Sequence, residues 1–242
     1  MSKPPKGRGG KRGGGRQLAE RVRTARGRRH SSTLWLERQL NDPYVAEAKR
    51  RGFRSRAAFK LEQLDKRFQL LKKGAKVVDL GCAPGGWLQI AVEKVGDKGR
   101  VVGIDLLPVE PVAGAIILQG DFLAEDAPER LRAELGGPAD LVLSDMAANT
   151  VGHARTDSLR TLALAEAAVA FAEEVLAPGG AFLCKVLQGG LEGDLLAHLK
   201  RVFESVRHVK PPASRADSAE LYLIALGFRG AGGPPAEASG DR

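Results

Sequence analysis

Short apolar runs recur between residues 77 and 226, set apart by turns and longer mixed segments. They are Val77–Leu80, Val101–Leu106, Ile116–Gln119, Leu141–Ser144, Phe182–Val186, Val206–Val209 and Leu221–Leu226. Several are nearly continuous and β-branched, the pattern of strands covered on both faces. Most are separated by helical stretches, at roughly 86–95, 128–135, 157–176 and 191–204. Strand-helix-strand alternation predicts right-handed crossovers and a parallel sheet with helices on both faces. Residues 210–219 leave no room for a crossover helix, so the last two strands are predicted to be antiparallel. Upstream, Asp42-Pro43 reads as an N-cap followed by proline at the first helical position, opening a helix of about nine residues. Ser55 is read as the cap of a second helix reaching about Leu70, with Ala58, Leu61 and Leu64 on one face. No internal repeat is visible.

A length of 242 residues fits one domain with tails, and 43% hydrophobic residues are enough for a packed core. The net charge of +9 is unevenly placed. Residues 1–30 hold 11 Lys and Arg against one acid, Glu20. Residues 31–76 are also basic, while residues 77–242 are acidic. A basic front third on an acidic body points to a polyanion bound at one end. Residues 1–30 are expected to form a disordered Gly/Arg-rich arm and residues 230–242 a disordered tail, because neither can bury enough to offset ordering. They flank a domain of residues 31–229. Cys82 and Cys184 are too few for a disulfide framework or a zinc site and read as small buried side chains. No metal site is expected. No run approaches the roughly 20 apolar residues of a membrane helix. Nor does an apolar stretch follow the first charges, so no secretory signal is expected.

In a parallel sheet of this kind, ligands bind beyond the carboxyl ends of the strands. Four features fall there. The first is Asp79-Leu80-Gly81-Cys82-Ala83-Pro84-Gly85-Gly86-Trp87, whose small residues admit close approach and whose following helix offers free amides. Its glycine spacing is not that of a dinucleotide or P-loop motif. A nucleotide without a pyrophosphate fits better, which suggests S-adenosylmethionine. The second is Asp105, placed to accept from ribose hydroxyls, and the third is Asp121 with Phe122, placed for an adenine. The fourth is Ser144-Asp145-Met146-Ala147. Each acid taken singly also suits a helix N-cap, but four successive strand ends make that explanation poor.

These residues bring a family into view. From about Ser32 to Phe228 the chain resembles the RrmJ/FtsJ-type ribosomal RNA 2′-O-methyltransferases. The resemblance is carried by Asp42-Pro43-Tyr44-Val45, Arg54-Ser55-Arg56-Ala57-Ala58-Phe59-Lys60-Leu61, the Asp79–Trp87 segment, Asp105-Leu106-Leu107-Pro108, Gly120-Asp121-Phe122, Ser144-Asp145-Met146-Ala147, Lys185-Val186, Ser214-Arg215 and Glu220-Leu221-Tyr222. It implies a Rossmann-like α/β fold with a seven-stranded, mostly parallel sheet and one antiparallel strand. It implies S-adenosyl-L-methionine as cofactor, contacted at Gly85, Trp87, Asp105, Asp121 and Asp145. It implies a catalytic tetrad matching Lys60, Asp145, Lys185 and Glu220. The implied substrate is large-subunit rRNA or the 50S particle, at a uridine of the A-loop, in a cytoplasmic and monomeric enzyme that binds no DNA and no membrane. Ala58 and Ala148 depart from the family pattern, where an aromatic and a proline are usual, and the basic arm is longer.

Lysine takes a proton only when neutral, and its reference pKa is about 10.4. Two versions of the chemistry therefore stand: Lys185 as general base, or Lys185 as a cation that orients the hydroxyl. Lys49, Arg50, Arg51, Arg54 and Arg56 cluster before Lys60, so residues 31–75 are expected to be a helical RNA-binding part contacting phosphates. Competing readings are a tRNA or other RNA substrate, and an rRNA-binding assembly factor for which methylation is secondary.

Overall fold

The structure is a computed structural model that describes residues 30–148, 152–189 and 193–230. Apart from His30 and Gly230, the expected arm and tail lie outside the described residues. The chain divides into two units, Met1–Ala46 and Glu47–Arg242. The first contains α1 (His30–Leu40), an element the apolar pattern does not reveal. Leu34, Trp35 and Leu36 are consecutive there and give no helical period. A second helix, α2 (Pro43–Arg51), starts where Asp42-Pro43 predicts, with Asp42 Oδ1 accepting from the Tyr44 amide at 3.0 Å.

The second unit is built on α3 (Ala57–Phe68), β1 (Lys76–Leu80), α4 (Gly86–Val95), β2 (Arg100–Asp105), β3 (Ala115–Gln119), α5 (Ala127–Leu135) and β4 (Ala139–Ser144). Then come α6 (Ala154–Val175), β5 (Leu176–Leu187), α7 (Gly193–Val202), β6 (Phe203–Val209) and β7 (Glu220–Phe228). All seven predicted strands are present. Ser55 lies two residues before the start of α3, one before the N-cap position at Arg56, and its Oγ accepts from the Ala57 amide at 3.2 Å. The helix ends at Phe68 rather than near Leu70, because Gln69 turns left-handed at φ 52 and returns its N–H to Asp65.

The sheet order is β3-β2-β1-β4-β5-β7-β6. Strands β1 to β5 pair in parallel, and β7 runs antiparallel to both β5 and β6. The order reverses between β1 and β4, which opens a crevice at their carboxyl ends. Alternation along each strand sends side chains to two cores. Val78, Leu80, Val142 and Phe182 pack with α5, α6 and α7, while Val77, Leu141, Leu183 and Tyr222 pack with α3 and α4. Odd-numbered residues of β1, β2 and β4 therefore face α3 and α4, except Ala139, which precedes a register shift in β4 and packs in the other core. Ala58 is fully buried in that layer, so its departure from the family pattern alters packing and not an RNA-facing surface.

Candidate active site

A cleft of about 290 Å³ crosses the carboxyl ends of β1 to β4. Gly81, Asp105, Leu107, Asp121, Phe122 and Asp145 are among the residues that line it. Gly81 has φ +79, and a Cβ there would stand 2.8 Å from Met146 Cγ and 2.9 Å from its Cα. Only glycine lets the loop after β1 lie against the loop after β4. Asp105 holds the next wall. Its Oδ2 accepts from the Ala83 amide and its Oδ1 from the Leu107 amide, both at 2.8 Å. One carboxylate thus ties the loops after β1 and β2 together. Asp121 accepts from the Leu123 amide at 2.9 Å. Each carboxylate retains lone pairs for the hydroxyl and amino groups of a ligand.

Asp79 lies beneath this cleft, wholly buried, with both oxygens unbonded among the described residues. Register sets it beside Gly103 and Leu143. Asp105 and Asp145 follow two residues later on the same face of the flanking strands. Burial, and then the charges of Asp145 and Asp105, push the Asp79 carboxyl well above the usual carboxylate range. With Asp79 neutral, the carboxylates of Asp105 and Asp145 above it supply the field that favours a cationic ligand over an anionic one. A sulfonium nucleoside fits this set; a dinucleotide pyrophosphate does not.

A measurable consequence concerns stability. The folded state holds a proton on Asp79 that the unfolded chain releases above about pH 4. The unfolded chain then binds fewer protons, and stability falls as pH rises through that window. Asp79→Asn is expected to flatten this fall. Thermal unfolding of both proteins from pH 4 to pH 8 checks it, and parallel pH slopes would contradict it.

Next to the cleft the four tetrad positions meet in one network. Lys185 Nζ donates to the main-chain oxygen of Asp145 at 2.6 Å and pairs with its Oδ1 at 3.1 Å. Lys60 Nζ donates to Glu220 Oε2 at 2.8 Å and to the Tyr222 hydroxyl at 3.2 Å. Tyr222 in turn donates to Asp145 Oδ1 at 2.9 Å. Ser214 Oγ donates to Glu220 Oε1 at 2.7 Å. Tyr222 therefore joins the Lys185–Asp145 pair to the Lys60–Glu220 pair. Sequence reasoning gives it no role, although its place two residues after Glu220 in a strand puts both on one face. Burial first, then the charges of Asp145 and Glu220, raise the Tyr222 hydroxyl well above its ordinary range, which keeps it a donor.

Antiparallel β7 explains why these groups meet. It starts at the edge where β5 ends, so Lys185 pairs with Tyr222 and Leu187 with Glu220. Asp145, which is part of both cleft and network, is the junction of the two.

Gly85 and Trp87 are not among the residues lining the cleft. Trp87 is buried; its indole N–H donates to the Ala57 carbonyl at 2.8 Å and its ring lies 5.8 Å from that of Tyr222. Its side chain supports Tyr222 from behind, away from the cleft. The basic cluster also differs from its expected form. Arg50 pairs with Glu47, Arg51 with Glu62, and Arg56 donates to the Ala213 carbonyl. Lys49 is exposed. Exposed pairs such as Arg50–Glu47 contribute little and are screened by salt, so they yield readily to a phosphate.

Cysteine chemistry plays no part in this site. Burial pushes the Cys184 thiol up to about 12, and Cys82 is raised by burial and by the charges of Asp79 and Asp105. Both cysteines are free and buried, as expected.

A parallel sheet with an acid-walled cleft at its switch point, beside paired lysines and carboxylates, defines a Rossmann-like methyl-transfer enzyme. Comparison with known proteins makes the assignment specific: the FtsJ-like methyltransferase model matches residues 53–228, and the chain belongs to that family. The ribosomal RNA large subunit methyltransferase E of Paramagnetospirillum magneticum is 63% identical over 226 residues, covering 91% of this chain and 93% of that protein. The protein of the same name from Rhodospirillum rubrum is 62% identical over 224 residues, covering 91% of this chain and 85% of its own. A solved ribosomal RNA methyltransferase from Plasmodium falciparum is 30% identical, with a TM-score of 0.67, over 74% of this chain and 100% of that one.

Proposed function

We propose that the chain transfers a methyl group from S-adenosylmethionine to a ribose 2′-hydroxyl of large-subunit ribosomal RNA, at a uridine of the A-loop. The carrying observation is the junction at Asp145, where the nucleoside cleft meets the lysine–carboxylate network. The names of the relatives, at around 60% identity over nearly their full length, support the ribosomal substrate. A 2′-hydroxyl acceptor makes the nucleic acid RNA and not DNA.

In this reading Asp105 holds the ribose hydroxyls of the cofactor and Asp121 the adenine amino group, while the Gly85 amide is already committed to the Cys82 carbonyl at 2.7 Å. The bound cofactor supplies an electrophilic methyl group on a sulfonium. The chain's residues align the acceptor for in-line attack, which is the main contribution to rate in such a displacement. An ammonium has three N–H groups. Lys185 directs two of them at Asp145 and has one left for the 2′-oxygen. That geometry favours the orienting-cation version over the general base. The proton freed as the new O–C bond forms leaves late, to water, because an ammonium has no lone pair to accept it. Lys60, Glu220 and Tyr222 hold the ribose side of the site. Residues 31–75 contact the RNA backbone, with residues 1–30 as a further electrostatic arm, and the enzyme works as a cytoplasmic monomer. No helix among the described residues is long and apolar enough to cross a membrane.

The direct test maps ribose methylation in rRNA from a strain lacking the gene. Loss of one large-subunit 2′-O-methyl group, restored by the purified protein with S-adenosylmethionine and 50S particles, is expected. An unchanged rRNA map, with methyl groups missing from tRNA instead, would move the substrate elsewhere.

A further inference from the structure

Arg54 lies in the turn between α2 and α3, within the basic cluster that the sequence assigns to phosphate contact. Its guanidinium is instead occupied by main chain. Nη1 donates to the carbonyl of Pro84 at 3.3 Å and to that of Glu110, and Nη2 donates to that of Pro111 at 2.6 Å. Three carbonyls from two loops share one fork of N–H groups, a geometry that suits the planar guanidinium and not a compact ammonium. The backbone of Arg54 is held as well. Its N–H donates to Gln89 Oε1 at 2.9 Å, while Gln89 Nε2 donates to the Gly52 carbonyl at 3.0 Å. Helix α4 therefore grips the turn that carries the arginine. Gly85 makes the room: a Cβ there would stand 2.8 Å from Arg54 Nη1, at a φ of +104.

The two loops are those that wall the cleft. Asp105 ties them from the inside, through the Ala83 and Leu107 amides. Arg54 ties them from the outside, through carbonyls one residue after Ala83 and three and four residues after Leu107. We infer that Arg54 is a positioning residue that sets the cofactor cleft by clamping the loops after β1 and β2, and is not a phosphate contact. The inference rests on the proposed identity of the cofactor. It also gives the second glycine site a purpose: Gly85 serves the clamp and not the ligand's close approach.

The test compares wild type, Arg54→Ala and Arg54→Lys. The Lys variant keeps the charge and most of the stem, and reports if the Ala variant fails to fold. S-Adenosylhomocysteine affinity is read by calorimetry, KM and kcat from methyl transfer, and RNA affinity as a function of salt. Losing the charged hydrogen bonds is expected to raise the dissociation constant about tenfold in both variants. KM for S-adenosylmethionine should rise with it, while kcat at saturating cofactor and the salt slope of RNA binding stay near wild type. A general loss of folded structure would lower kcat and would not confine its effect to one KM. Wild-type cofactor affinity in Arg54→Lys would overturn the inference. So would a salt slope shallower by roughly 0.7 in Arg54→Ala, the signature of one lost phosphate contact. If the wild-type protein binds neither S-adenosylmethionine nor S-adenosylhomocysteine, the cofactor reading fails instead.

Discussion

Lys185→Ala is expected to lower methyl transfer by about a thousandfold or more, with cofactor affinity nearly unchanged. The lysine stands on β5 among buried residues, Cys184 on one side and Val186 on the other, and its side chain is only 12% exposed. Asp145 would keep Tyr222 as its partner, but the N–H that Lys185 directs at the acceptor would be gone. The cleft does not count Lys185 among its lining residues, so binding of the methyl donor should persist. Single-turnover methylation of 50S particles, paired with calorimetry on S-adenosylhomocysteine, separates the two quantities. Turnover within a few-fold of wild type would remove Lys185 from the chemistry.

Asp145→Asn should act on both quantities at once. Asp145 lines the cleft and also bonds Lys185 and Tyr222. An amide keeps the shape and leaves in place the main-chain carbonyl that Lys185 uses at 2.6 Å. It removes the negative charge that holds the ammonium and that favours a cationic ligand. We expect kcat to fall about a hundredfold and the KM for S-adenosylmethionine to rise. That double effect distinguishes Asp145 from Lys185, whose loss should spare cofactor binding. An asparagine variant with normal kcat and altered KM alone would place Asp145 in the cleft and outside the catalytic network.

The elements of the main unit are largely legible in the amino-acid pattern. Strand runs such as Leu141–Ser144 are continuous and apolar because helices cover both faces of the sheet. The caps at Asp42 and near Ser55 are local hydrogen bonds within three residues, so short sequence patterns specify them. The helix over residues 30–40 escapes that pattern because its apolar residues are adjacent and carry no period.

The site is legible in part, and the boundary between parts has a physical cause. Asp105, Asp121 and Asp145 follow strand ends, and parallel strands put all such ends on one edge, so counting along the chain places them. Lys60 and Glu220 are 160 positions apart, and their 2.8 Å bond depends on how α3 packs against an antiparallel strand. Neither periodicity nor spacing encodes that distance; resemblance to a family supplies it. The inward turn of Arg54 is invisible for the same reason. Among other basic residues a guanidinium reads as a phosphate contact, until the carbonyls that accept its hydrogen bonds are known.

By itself, then, the sequence determined the periodicities, the caps, the order of strands and helices, and the acids at the strand ends, because each depends on neighbours a few residues away. Only the tertiary structure decided that Tyr222 bridges two ion pairs, that Asp79 lies orphaned beneath the cleft, and that Arg54 faces main chain. Those outcomes depend on cross-strand register and loop packing between residues far apart in the chain, where the energy of a contact exists only once the partner has been brought to it.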